Sequence, residues 1–461
     1  MARGTPGWIA LVGALLVLAG VGRGSLWVAL ALDPGAQQTS DFQILHAAGQ
    51  GLAEGLDIHD PRVLDQIGQR VGRPVTPFCA ALPGMVGVFG LFGPDLGPAY
   101  ESWLVVTILA AIAAALALAA CLDQAIGRSL ACALALLVVG LPPSFWHSLA
   151  MNSTNLLALA ALSLAWWAGE RHRVGLEGLA LALAILVKTS PALVLLTMVM
   201  AGRLAPVLWA CGWLAATMGG SILWLGWEIH ESWLTRVLPV LGYSPEVAPG
   251  RFNNALHAWN LSPNGLLTRA ALGPGWWAAA GAWLVTGLVL LQLWGAVRGA
   301  VRRARGPGTE GGRPGSTTAP VAGVTPVAGT TASAAEVTPR ARTSLLDVGG
   351  LYALSVAAMF LVSSVTWPHH LVLAAVPAVW LLRQALGGQA TLAGRTGPLV
   401  CSLAAWSVLA LPLGLFDPSS SQPVDIPLKT GACLLLFAGM VALFGTPPEG
   451  EPKPAMPERT P

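Results

Sequence analysis

Charge is what this chain has least of. Asp, Glu, Lys and Arg make up 10% of its 461 residues, and the formal net charge is only +3. So small and scattered a balance excludes a nucleic-acid surface, which needs clustered cations to meet phosphates. The 6 cysteines, Cys79, Cys121, Cys132, Cys211, Cys401 and Cys433, form no CxxC pair and lie mostly in apolar runs. They read as small buried hydrophobes rather than metal or redox groups. No GxxxxGK[ST] loop and no GxGxxG after a strand occurs, which removes ATP and dinucleotide binding. A DxD element of the kind that holds a metal–nucleotide sugar is missing too, as is any soluble domain to hold such a donor. If this chain transfers sugar, its donor has to be reached from the membrane, which means lipid-linked. Nothing alternates like the strands of an outer-membrane barrel.

Apolar sequence dominates. Hydrophobic residues account for 54% of the chain, and the mean hydropathy is +0.65. About ten stretches approach or exceed the ~17–25 apolar residues that cross a bilayer. Backbone facing lipid must satisfy its own hydrogen bonds, so these stretches are read as helices. Trp is frequent, 19 against 3 Tyr, which suits rings anchored near headgroups and inside a bundle. The expected fold is all-α: a polytopic membrane bundle of about 12 helices. Spans are placed near 8–31, 100–121, 127–142, 153–168, 174–188, 190–202, 204–227, 275–297, 346–366, 369–386, 397–416 and 428–445. The first follows Arg3 and is long enough to be an uncleaved anchor rather than a signal peptide. Residues 78–92, broken by Pro83, Gly84, Gly87 and Gly90, read as re-entrant.

Domain organisation follows from composition. Residues 1–297 form an N-terminal transmembrane module with external loops 33–77 and 228–273. Residues 298–343 begin with Arg298, Arg302, Arg303 and Arg305 and continue as a Gly/Pro/Thr/Ala-rich stretch that cannot bury a core, so they read as a disordered cytoplasmic linker. Residues 344–446 carry the C-terminal helices, and 447–461 a disordered tail. With 78–92 re-entrant, the loops holding Arg171, His172, Arg173 and the Arg298 group fall inside, as the positive-inside rule asks. Residues 33–77, 143–152, 189–190, 228–273 and 367–370 then fall outside.

The polar residues gather on that external side. Asp41 opens a helix over roughly 41–54, with Phe42, Leu45, Ala48 and Leu52 on one face, suited to the interface plane. Asp41 reads either as an N-cap, or acid at the helix dipole, or as a general base for an acceptor hydroxyl. Asp57-Ile58-His59-Asp60-Pro61 reads as a turn or a cation site. Lys188, before Thr189-Ser190-Pro191, either snorkels to the interface or holds a phosphate. Asn152 is a helix-start cap and Asn155 faces the bundle. Asn253, Asn254, His257, Asn260 and Ser262 with Trp259 form a polar loop suited to sugar hydroxyls. Trp367-Pro368-His369-His370 begins a helix, and of two adjacent histidines at most one faces the site.

The pieces DFQILHAAGQGLAEGLDIHDP, NSTNLLALAALSLA, GLALALAILVKTSPALVLL, NNALHAWNLSPNGLLTR and SSVTWPHHLVLAAVPAVWLL come in one order over most of residues 35–385. In this the chain resembles the glycosyltransferase family 87 membrane enzymes, the polyprenol-phosphate-mannose-dependent α-1,2-mannosyltransferase group with the GT-C fold. Where that family carries a Gly-Gln-x-Asn element, this chain has Met151-Asn152-Ser153-Thr154-Asn155. The resemblance implies a multi-pass enzyme of the cell (inner) membrane. It would transfer a hexose, mannose first of all, from a polyprenyl-phosphate donor to a lipid or glycan acceptor at the external face. It places the family's external carboxylate on Asp41, its intramembrane lysine on Lys188 and its late tryptophan–histidine element on Trp367, His369 and His370. Asn155, Asn254 and His257 complete the expected substrate contacts, and no cofactor or obligate metal is called for. The competing reading is a membrane transporter or lipid flippase, which would spread polar residues through the midplane in paired, repeat-like halves.

Overall fold

The computed structural model describes residues 40–71, 81–240, 260–270, 276–305, 347–363, 366, 368–386, 396–410 and 425–445. The expected first span, the 241–259 segment that holds Asn254 and His257, and Trp367 lie outside these. Among the described residues every regular element is helical, in keeping with the all-α expectation. The chain begins with α1 (Asp41–Ala53), α2 (Pro61–Val71), α3 (Pro83–Gly90), α4 (Leu96–Ile126), α5 (Arg128–Gly140) and α6 (Pro143–Ala150). It continues with α7 (Asn155–Glu170), α8 (Val174–Val187), α9 (Ala192–Met200), α10 (Leu204–Leu225) and α11 (Trp227–Ser232). After α12 (Pro263–Ala270) and α13 (Trp276–Arg305) come α14 (Val348–Val362), α15 (Ala375–Leu386), α16 (Thr396–Ala410) and α17 (Asp425–Gly445). A 3-10 turn over Pro368–Ala374 leads into α15.

Five helical runs are long and apolar enough to cross a membrane: Leu96–Asp123, Leu204–Leu225, Trp276–Ala304, Pro368–Leu386 and Pro427–Phe444. The pair α5 and α6, bent by 62° at their junction, makes a sixth if taken as one span. The expected count of about 12 is not reached among the described residues. Where hydropathy marks spans at 153–168, 174–188, 190–202, 346–366 and 397–416, the helices run only 16, 14, 9, 15 and 15 residues. Burial in protein explains this for α14 and much of α7, whereas α9 and α16 keep exposed apolar faces at Leu196, Val199 and Val400. Along α14 every residue from Gly349 to Leu361 is buried, so that helix meets other helices rather than lipid. Hydropathy cannot separate a short core helix from a span, because both are apolar all round.

One core joins the beginning and end of the chain: Leu118, Leu159 and Leu181 pack in the same cluster as Leu351, Val379 and Leu436. Described helices from both sides of residues 298–343 thus share one core. Helix α13 also continues through Arg305, so the first part of the expected linker, 298–305, is helical. Its Arg303 donates to the Phe444 carbonyl at the end of α17, at 2.6 Å. Cys121 and Cys433 are buried as expected, whereas Cys211 and Cys401 lie on exposed faces of α10 and α16.

Segment 78–92, described from residue 81, holds one short helix. Its helix α3 has 8 residues, ~12 Å of rise, too short to cross ~30 Å of hydrocarbon. The end of such a helix leaves carbonyls that lipid cannot satisfy. Polar side chains of α1 supply the partners: Gln50 Nε2 donates to the Phe92 carbonyl at 2.6 Å, and a His46 ring nitrogen lies 2.9 Å from the Gly93 carbonyl. The approach depends on Gly49, where an added Cβ would lie 2.7 Å from the Phe89 backbone carbon and 2.8 Å from the Val86 carbonyl oxygen. Helix α1 is thus not a surface helix with one wet face. Phe42 and Ala48 are buried as expected, but so are Gln43, His46, Gly49 and Gly51. Leu45 and Leu52 are half-buried.

The bundle has two chemically different ends. Helix α7 starts at Asn155 and finishes at Glu170, ~22 Å along its axis. At the Glu170 end, Arg383 of α15 pairs with Glu170, which also accepts from Trp166 Nε1. Arg203 makes a two-pronged bond to the buried Glu177, 2.8 and 2.9 Å, with Tyr352 Oη at 3.2 Å. Asp347 accepts from Trp380 Nε1 at 2.7 Å, and Arg171 and Arg173 lie over the Trp167 ring. Helices α8 and α14 start at this end, and α15 finishes there. At the opposite end stand Asn155, Lys188 and His369.

Candidate functional site

Asp41 owes its position to two local interactions. Ser40 Oγ accepts from the Gln43 amide, at 3.3 Å, and so caps α1. The cap is Ser40 and not Asp41, which leaves Asp41 as an acid in the first turn, where the helix dipole favours negative charge. The Asp41 amide donates to the Met151 carbonyl at 3.0 Å, fixing the helix start against the turn after α6. The carboxylate is partly open, and its Oδ2 lies 3.5 Å from His369 Nε2.

His369 sits in the 3-10 turn, where the preceding proline fixes φ and the tight winding turns the ring inward. Ser148 Oγ of α6 donates to its carbonyl at 3.0 Å. The His369 ring is buried, and its Nδ1 has no hydrogen-bond partner among the described residues. His147 packs edge-on against it at 5.2 Å between centroids, and His370 at 4.8 Å. His369 meets Asp41, and His370 packs edge-on against the His369 ring. His147 is a member of this group that the sequence did not single out; a histidine between Trp146 and Ser148 carries no motif.

Lys188 ends α8, in extended conformation before Pro191. Its Nζ donates to Asn155 Oδ1 at 2.8 Å, and Asn155 Nδ2 donates to Ser153 Oγ at 2.9 Å. The Asp41 carboxylate is close enough to act on the Lys188 charge, which also reaches the His369 and His370 rings. The structure therefore brings Asp41, Lys188, Asn155, His369 and His370 to one end of the bundle. Trp367, Asn254 and His257 lie outside the described residues. Asn260 is described and fully buried; its Oδ1 accepts from the Ser262 and Thr366 amides, both at 3.0 Å, tying the start of α12 to the end of α14. A carboxylate near a lone ammonium and a histidine group suits deprotonation of a hydroxyl beside an anionic leaving group. Among the described residues, no three His, Cys, Asp or Glu are grouped so as to hold a metal ion.

A family model described as glycosyltransferase family 87 matches residues 76–313, more than half of the chain. The chain belongs to glycosyltransferase family 87. No curated protein and no solved structure gives a match. Membership makes it a multi-pass membrane glycosyltransferase. The matched region contains Asn155 and Lys188 but not Asp41, His369 or His370, whose place in the site rests on the geometry.

This family 87 chain carries a second polar cluster beside the first. The Asp57 stretch is a turn: its Oδ1 accepts from the His59 amide at 3.0 Å, and its carbonyl from the Asp60 amide. Its carboxylate also accepts from Ser232 Oγ at 2.9 Å and Arg236 Nη1 at 3.1 Å, clasping the turn to the segment after α10. His59 lies buried behind, its Nδ1 3.7 Å from Asp57 Oδ1 and neither ring nitrogen hydrogen-bonded among the described residues. Burial lowers its pKa from 6.5 to about 4, against the Asp57 charge, with smaller help from Arg236 and His230. The folded state thus binds its proton less well than the unfolded one. Stability from neutral His59 is complete above pH ~6.5 and is lost as pH falls toward ~4, by at most about 3 kcal/mol. Thermal unfolding in detergent between pH 7 and 4.5 should show that slope, and His59→Gln should flatten it. An equal slope in the variant would assign it to other groups.

Proposed function

We propose that this enzyme takes a hexose, mannose first of all, from polyprenyl phosphate and passes it to a lipid or glycan acceptor at the external face of the inner membrane. The observation that carries the reading is the placement of Asp41 and Lys188 at one end of the bundle, opposite an end lined by Arg171, Arg173, Arg203 and Arg383. The positive-inside bias makes the arginine end cytoplasmic and the Asp41 end external.

The reaction then runs as one displacement. Asp41 takes the proton of the acceptor hydroxyl, whose oxygen bonds to the anomeric carbon as the bond from that carbon to the phosphate oxygen breaks. The electron pair leaves with the polyprenyl phosphate. Lys188, with help from His369 or His370, holds the phosphate and offsets its growing charge. Asn155 holds the lysine ammonium in place. A donor anchored in lipid fits a chain with no soluble domain and a site at a bundle end.

The direct test is transfer of radiolabel from polyprenyl-phosphate sugars by the purified protein in lipid, with a membrane extract as the source of acceptor. No transfer from any such donor would reject the reading. Lys188→Ala should lower donor use about ten- to a hundredfold, the worth of a charge-assisted phosphate contact. Lys188→Arg should keep part of it. Unchanged donor kinetics in Lys188→Ala would leave the lysine as an interface anchor only.

A further inference from the structure

The turn between α6 and α7 touches both halves of the site. Helix α6 ends in a Schellman motif: the Asn152 amide donates to the Leu149 carbonyl at 2.9 Å and the Ser153 amide to the Ser148 carbonyl at 3.0 Å. That motif needs a left-handed residue after the helix, and Asn152 has φ +46°. Asn152 is therefore the stop of the preceding helix and not the start of the next; the residue before α7 is Thr154, which makes no side-chain cap. Ending a helix does not explain the rest of what Asn152 does. Fully buried, it donates from Nδ2 to the Tyr100 carbonyl at 2.9 Å. Its Oδ1 accepts from Thr107 Oγ1 at 3.2 Å, and its carbonyl from Trp103 Nε1 at 3.1 Å. Three residues of α4 thus hold one residue of the turn. On one side of that residue, the Met151 carbonyl receives the Asp41 amide at 3.0 Å and the Phe42 amide at 3.4 Å. On the other, Ser153 Oγ holds Asn155, which holds Lys188.

We infer that Asn152 is a positioning residue: by fixing the 151–155 turn to α4 it sets the spacing between the Asp41 carboxylate and the Lys188 ammonium. Resting on the proposed reaction, this is the spacing between the acceptor hydroxyl and the departing phosphate. A group displaced by about 1 Å loses up to about a hundredfold in rate, so a fixed turn matters more to turnover than to donor binding.

Glycine separates the two roles of Asn152. It adopts the left-handed conformation more readily than asparagine, so a helix-ending role alone would leave Asn152→Gly as good as wild type. The positioning role gives a different outcome: kcat falls about ten- to a hundredfold, with donor KM within about twofold. Asn152→Ala, which adds backbone strain to the same loss of bonds, should fall further in kcat. Hydrogen–deuterium exchange supplies a readout independent of activity. The 41–42 amides should exchange several-fold faster in Asn152→Gly, because the turn that carries the carbonyl they bond to loses two of its bonds to α4 and keeps only the Trp103 bond to the residue-152 carbonyl. Wild-type kcat and unchanged exchange in Asn152→Gly would overturn the inference. If wild-type protein transfers nothing from polyprenyl-phosphate sugars, the proposed reaction fails and the exchange result alone decides whether Asn152 places Asp41. Should Asn152→Gly not fold, Thr107→Val removes one bond without touching the turn: slower turnover and faster exchange at 41–42 support the inference, and no change overturns it.

Discussion

Asp41→Asn should lower sugar transfer by ~10²–10⁴ while the protein stays folded. Asparagine keeps the size of the side chain and can still accept a hydrogen bond from His369, but it cannot take the acceptor's proton. Helix capping does not complicate the comparison, because Ser40 caps α1. The structural cost is the loss of one negative charge in the first turn, about 0.3–1 kcal/mol. Transfer by purified Asp41→Asn, measured with its thermal unfolding alongside, gives the answer. Near-normal transfer would take Asp41 out of the base role and leave His369, with its open Nδ1, as the group to examine.

The second large effect is on stability, at the other end of the molecule. Glu177 is fully buried, and Arg203 has 9% of its side chain exposed. Removing the arginine leaves a buried carboxylate with only the Tyr352 hydroxyl bonded to it. Arg203→Ala is expected to cost about 3–5 kcal/mol. Replacing both partners with methionine should cost much less than the single change, since the burden lies in the unpaired charge rather than in the lost attraction. Thermal unfolding of the single and double variants tests this. An Arg203→Ala protein as stable as wild type would mean that water reaches Glu177.

Local chemistry made parts of this structure legible in advance. Ser40 and Gln43 form the Ser-x-x-Gln pattern of a capped helix start, and the helix begins there. Attention to Asp41 hid the cap, which was one residue earlier. Pro83, Gly84, Gly87 and Gly90 mark a broken segment, and the helix they allow is 8 residues long, too short by itself to cross. Asn152 reads in the sequence as the cap that starts α7 and in the structure ends α6, because both neighbours are apolar and the break between them is short. Span lengths were not legible: α8, α9 and α14 are as hydrophobic as lipid-facing helices yet shorter, and only α14 is wrapped by protein along nearly its whole length. The pairing of Lys188 with Asn155, and of Asp41 with His369, joins residues far apart in sequence through the packing of α7, α8 and the 3-10 turn. No periodicity encodes such a meeting. His147 had no signal beyond being a polar residue on a short helix.

The contact between Asp41 and His369 also has a consequence in time. The two residues are separated by most of the polypeptide, and synthesis adds about 5–20 residues per second. Tens of seconds therefore pass between the ribosome's delivery of the acid and its delivery of the imidazole. During that interval the membrane holds a growing chain that carries Asp41 without its imidazole neighbour. On the proposed reaction such a chain, like a fragment truncated before the 3-10 turn, should transfer no sugar.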